Sequence, residues 1–155
     1  AAMGQVLRAA GHGLHVLVFQ FLKDNNSGER RILEEIPNIT CLPGREQVKF
    51  VSQMNREERA ELKHYNTKAL DEIVKFCGPF DVLLLDEALC AVQLEVLSEE
   101  KLISFLQHKP RGLEIILTGH KVSDRMLEIA DYATEMVKMK HPYDAGTTAR
   151  EGIEY

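Results

Sequence analysis

The apolar residues of this chain follow two spacings. Short, nearly continuous runs occur over 14–21 (LHVLVFQF), 39–42, within 80–87 (FDVLLLDE) and over 113–118 (LEIILT). Runs of this length, bounded by glycine, proline or polar turns, predict strands covered on both faces. Elsewhere apolar residues return at three- and four-residue steps, the period of a helix with one buried stripe. The longest such stretch begins at Asn55, where Asn55 with Glu58 fits a capping box, and carries Leu62, Tyr65, Ala69, Ile73 and Phe76 on one face. Further helices are predicted over 1–10, 29–36, 88–95 and 124–130, with another capped by Ser98 and running to residue 109. Gly11-His12-Gly13, Pro37, Gly78-Pro79 and Pro110-Arg111-Gly112 supply the breaks. Residues 43–54 have no period and read as a loop. Residues 133–139 read as a last, more amphipathic strand. Strands alternating with helices predict one α/β domain over 1–155, a three-layer parallel sheet with right-handed crossovers and helices on both faces.

Composition adds limits. The chain has 155 residues, 45% of them hydrophobic, enough for one domain with a real core. Charges of both signs are mixed, the net charge is −5, and no basic stripe suggests nucleic acid. No apolar run is long enough for a membrane span, and residues 1–20 lack a signal-peptide layout. Cys41, Cys77 and Cys90 are scattered, so they read as buried thiols and not as a disulfide framework or metal pattern. A cytoplasmic enzyme or binding domain is the expectation.

Candidate chemistry centres on FDVLLLDE. An apolar strand ending in Asp86-Glu87 places two carboxylates at the C-terminal edge of the sheet, where open α/β sheets bind ligands. Such a pair holds magnesium beside nucleotide phosphates in many folds. The competing reading is that Asp86 caps the next helix and Glu87 is a solvated first-turn acid. Residues 20–23 and 118–121 also follow apolar strands and are expected at the same edge.

RAAGHG (8–13), VLVFQFLK (16–23), LLLDE (83–87), ILTG (116–119), KHPYDAG (140–146) and the ending EGIEY occur in this order. Together they resemble the P-loop family of corrinoid adenosyltransferases over essentially the whole chain. The resemblance implies a P-loop NTPase fold of RecA-like type. It implies transfer of the 5′-deoxyadenosyl group of ATP to the cobalt of a reduced corrinoid, with release of triphosphate. ATP, Mg2+ and a corrinoid are the implied ligands, an electron-donating reductase such as a flavoprotein the implied partner, and a homodimer the implied assembly. The family's G-x-x-x-x-G-K-[ST] phosphate loop does not occur in these residues, so relative to that family the chain is expected to be N-terminally incomplete and, taken alone, to bind ATP poorly. A nucleotide- or corrinoid-binding carrier or regulator without transfer activity is therefore the alternative. A generic P-loop kinase or ATPase fits the strand and acids but not the tail.

Residue roles follow from the resemblance. Glu87 is the candidate metal ligand, with Asp86 behind it or bound through water. Arg8 would face the phosphates from the first helix. Gln20, Lys23 and His120 would contribute from strand ends, His120 standing where related sequences often carry arginine. Phe50, in the loop before the long helix, is the candidate wedge that strips the lower axial ligand from the corrinoid; otherwise it packs under the loop. Lys140, His141, Pro142, Tyr143, Asp144 and Gly146 would approach the nucleotide, on this or a second subunit.

Overall fold

The computed structural model describes residues 1–153. Glu154 and Tyr155, the end of the EGIEY signature, lie outside the described residues.

Four parallel strands form one sheet in the order β2-β1-β3-β4: β1 Val16–Gln20, β2 Ile39–Cys41, β3 Val82–Asp86 and β4 Glu114–Leu117. Every residue of β1 and β3 is buried. Alternate side chains explain why. Leu17, Phe19, Leu83 and Leu85 point to one face, and Val16, Val18, Val82 and Leu84 to the other, so neither strand has a polar face to spare. The register sets Val16 opposite Val82 and carries Gln20 opposite Asp86. The polar ends of the two central strands therefore lie side by side.

Helices cover both faces, as the strand pattern requires. Val6 and Ala10 of α1 (Ala2–Gly11) and Leu33 of α2 (Gly28–Leu33) pack against Val16, Val18 and Leu84. On the opposite face lie α3 (Arg56–Phe76), α4 (Ala88–Gln93), α5 (Glu99–Gln107) and α6 (Asp124–Ile129). The Asn55–Glu58 capping box is formed: the Asn55 carboxamide oxygen accepts from the Glu58 N–H at 2.9 Å, and Glu58 accepts from the Asn55 N–H at 2.9 Å. Ser98 caps α5 by accepting from the Lys101 N–H.

Two expectations need correction. The buried stripe of α3 runs through Leu62, Asn66, Leu70 and Ile73, while Phe76 is 50% exposed and leans on Phe80. A buried asparagine is invisible to an apolar period; Asn66 is tolerated because its amide donates to the Val96 carbonyl at 3.0 Å. Residues 133–139 form no strand. The outer edge of β4 is unpaired among the described residues, and residues 133–139 do not pair with it. Amphipathic alternation needs a neighbouring ladder to become a strand, and here Met136, Val137 and Met139 stay exposed.

Candidate active site

The C-terminal ends of β1 and β3 hold a compact polar cluster. Asp86, 7% exposed, uses both carboxylate oxygens. Oδ1 accepts from the Thr118 hydroxyl at 2.7 Å; Oδ2 accepts from Gln20 Nε2 at 3.2 Å and pairs with Lys23 Nζ at 3.0 Å. Gln20 is also buried; its Nε2 donates to Glu29 Oε1 at 3.0 Å, and its Oε1 accepts from the Ser27 hydroxyl at 3.2 Å. Glu29, in the first turn of α2, pairs with Lys23 Nζ at 3.1 Å.

Charge follows this geometry. Burial alone would lower the Lys23 pKa, but the hydrogen bonds and negative charges of Asp86 and Glu29 outweigh it, and the ammonium is held above its usual value. Burial likewise pushes Glu29 up, yet its own backbone N–H, Lys23 and Gln20 bring its carboxyl below the usual range.

Glu87 follows in the left-handed conformation, φ 59°, and is the N-cap residue of α4 without a side-chain cap. Its N–H donates to Thr118 Oγ1 at 2.8 Å. Thr118 thus joins Asp86 to the Glu87 backbone. Neither acid caps α4, so the helix-cap reading of Asp86 does not hold; the buried carboxylate is spent on Gln20, Lys23 and Thr118 instead. Among the described residues no lysine or arginine pairs with Glu87. Its neighbours are the Cys90 thiol and the His120 ring. Burial first, and then the hydrogen bond to Glu87, push the Cys90 thiol up to about 11, so it stands as a neutral donor to the carboxylate.

The Glu87 and Asp86 carboxylates are the ligand type that a hard cation takes. Magnesium takes oxygen ligands, usually one or two carboxylates plus phosphate oxygens. Glu87 offers a carboxylate with no lysine or arginine paired to it among the described residues, and Asp86, with its oxygens already engaged, would support it from behind.

The other candidates divide. Phe50 is 78% exposed, between Lys49, paired with Glu58, and the buried Val51. It does not pack under its loop. That loop lies against the 23–25 turn: the Gly44 N–H donates to Asn25 Oδ1 at 2.7 Å, and the Asn25 amide returns to the Gly44 carbonyl at 3.3 Å. His120 lies at the β4 end as expected, exposed beside Glu87. Arg8 is not brought to the acids. It sits in the last turn of α1, and Ala10 two residues on is bonded by Asn38, at the N-terminal edge of the sheet. A helix antiparallel to the strands sends its last turn away from their C-terminal ends. Lys140, His141, Pro142, Tyr143, Asp144 and Gly146 are exposed and bonded only within the tail among the described residues. His141 Nδ1 accepts from the Tyr143 N–H at 3.1 Å, starting a 3-10 turn over Pro142–Ala145, and Lys138 pairs with Asp144 at 2.8 Å.

Sequence reasoning gave no site role to Glu29, Ser27 or Cys90, and placed Thr118 at this edge without assigning it one. Thr118 ends an apolar strand, a signal as strong as that of Gln20. Glu29 had only a first-turn position to mark it, and nothing in the spacing of Cys90 set it apart from a packing thiol.

Comparisons with known proteins identify the family. The family described as ATP:corrinoid adenosyltransferase BtuR/CobO/CobP matches residues 1–155. The corrinoid adenosyltransferase of Escherichia coli (strain K12) is 32% identical over 161 residues, which span 100% of this chain and 78% of that protein. The corrinoid adenosyltransferase CobA of Salmonella typhimurium is similar to the same degree, 32% over 161 residues with 100% and 78% covered. The Pseudomonas aeruginosa corrinoid adenosyltransferase is 29% identical over 160 residues, covering 100% and 76%. With the whole chain matched and an acid-bearing strand end at its centre, the protein belongs to the ATP:corrinoid adenosyltransferase family.

Proposed function

We propose that the protein transfers the 5′-deoxyadenosyl group of ATP to a reduced corrinoid at the C-terminal ends of β1 and β3. One observation carries the location: Asp86 and Glu29 share a single lysine, Lys23, at this mouth, and Glu87 follows Asp86 there with no lysine or arginine paired to it among the described residues. Such a mouth is anionic and would repel a triphosphate on its own. It becomes receptive when a divalent cation lies between acid and phosphate. Glu87 would hold Mg2+, with Asp86 and Thr118 fixing the backbone that presents it. The ion, when bound, offsets negative charge building on the leaving triphosphate.

In the reaction the Co(I) electron pair forms the cobalt–carbon bond at the ribose 5′-carbon. The bond from that carbon to oxygen breaks, and its pair leaves with the triphosphate. The corrinoid carries the difficult electronics, so the protein's task is alignment and charge. Lys23 supplies the fixed positive charge at the mouth. Phe50, exposed on a loop tied to the 23–25 turn, would serve as the wedge against the lower axial ligand. A four-coordinate Co(II) then accepts an electron from a reductase more readily. The tail from Lys140 to Gly146 would act across a homodimer, since its hydrogen bonds and ion pairs among the described residues all stay within the tail. Arg8 is not carried into this reading.

The test is direct. Full-length protein is mixed with ATP, Mg2+ and chemically reduced cobalamin, and absorbance is followed for a light-sensitive Co–C product. Glu87→Ala is expected to slow formation roughly a hundredfold or more, the scale of losing one preorganised charge contact, with melting unchanged. Wild-type turnover in that variant would remove Glu87 from the site. Binding of ATP and corrinoid without product in the wild type would reduce the protein to a carrier.

A further inference from the structure

Cys90 has no part in the reaction proposed above, yet it faces the same mouth. Its sulfur, a carboxylate oxygen of Glu87 and a ring nitrogen of His120 lie within 4.8 Å of one another. Two segments bring them together. Glu87 and Cys90 are three residues apart at the start of α4, which puts them on one side of the turn. His120 arrives on the loop after β4, and the closeness of that loop depends on glycine. A Cβ on Gly119, φ 156°, would stand 2.6 Å from Leu89 Cβ and 2.7 Å from the Cys90 nitrogen. The loop is then held by Thr118, whose carbonyl accepts from the Leu89 N–H at 3.0 Å and whose hydroxyl accepts from the Glu87 N–H at 2.8 Å. The backbone therefore fixes the spacing of the three side chains.

Sulfur, imidazole nitrogen and one carboxylate are the donors of a borderline-soft metal, whereas magnesium prefers oxygen throughout. We propose that Glu87, Cys90 and His120 form a three-ligand site for a zinc-class divalent cation, with the fourth position left to water or a ligand atom. Bonds of about 2.0–2.3 Å put tetrahedral ligands about 3.3–3.8 Å apart, so the widest separation must close by about 1 Å. Cys90 is buried and Glu87 half-buried; the exposed His120 ring makes that movement. Because Glu87 belongs to both sets, a zinc-class ion and the magnesium site exclude one another.

Co2+ alone, added to the full-length protein without ATP or corrinoid, is the probe. Metal binding would displace the Cys90 proton to solvent in place of its hydrogen bond to Glu87; one equivalent is expected to give a thiolate-to-cobalt charge-transfer band and four-coordinate visible bands, both removed by Zn2+. Cys90→Ala should abolish the charge-transfer band. His120→Ala should weaken cobalt binding at least about tenfold, the scale of disturbing a ligand's surroundings alone. Cys41→Ala should change neither. No band in the wild type, a band that persists in Cys90→Ala, or wild-type affinity in His120→Ala would overturn the site. Should the buried Cys90 substitution fail to fold, His120→Ala, at an exposed position, decides the matter by itself. The readout uses neither substrate, so it stands apart from the transfer reaction.

Discussion

At the scale of single residues, the triangle Lys23–Asp86–Glu29 controls both charge and stability. Glu29 has a lowered carboxyl pKa, so the stability it contributes is present above the ordinary value of 4.5 and is lost as pH falls through the lower folded value. Lys23 is raised, so its contribution is present below 10.5 and is lost as pH rises through the higher folded value. Urea midpoints measured between about pH 3 and pH 11 should therefore fall at both ends. Glu29→Gln should flatten the acid limb, and Lys23→Met the alkaline limb. An unchanged acid limb in Glu29→Gln would show that the pair is not formed in solution. Phe50 tests a different property. At 78% exposure its removal should leave melting unchanged, while Phe50→Ala slows product formation starting from Co(II) at least about tenfold. Equal loss starting from chemically generated Co(I) would reject the wedge.

At the scale of elements, the loop after β4 is the most constrained piece of the site. Gly119→Ala places a methyl group inside the van der Waals radius of Leu89 and the Cys90 nitrogen, in a backbone conformation unsuited to alanine. A loss of about 2–4 kcal/mol is expected in denaturant melts, from overpacking and backbone strain together. A neutral result would mean that the loop does not touch α4. The long helix shows where patterns succeed and fail. Its start was legible because a capping box is local: Asn55 and Glu58 satisfy each other's backbone within one turn. Its buried face was not fully legible, because Asn66 points inward to a carbonyl thirty residues away. The same limit applies to residues 133–139, where alternation was present and strand pairing did not form.

At the scale of the whole molecule, the parallel register decides where chemistry gathers. β1 and β3 start together at Val16 and Val82 and end together at Gln20 and Asp86, so residues separated by 66 positions share a hydrogen bond. The tail is the part the single chain leaves unexplained. Tyr132, Met136, Met139 and Tyr143 are exposed, as is the KHPYDAG segment that carries the family signature. If the tail serves a partner's site, Glu87→Ala and Asp144→Ala should each lower turnover, and mixing the two should restore roughly a quarter of wild-type activity on random exchange across a two-fold interface. No recovery on mixing would place the tail in its own subunit. From the amino-acid order alone came the α/β class, the buried strands, the acid pair and the family, because all depend on local period and contiguous motifs. Only the folded chain could decide that Asp86 is engaged by Lys23 and Thr118, that Glu87 has no lysine or arginine paired to it among the described residues, that Arg8 lies toward the opposite edge, and that Cys90 and His120 meet. Those outcomes depend on which strands pair, in which register, and how closely two loops approach, and none of these is written in the spacing of residues along one segment.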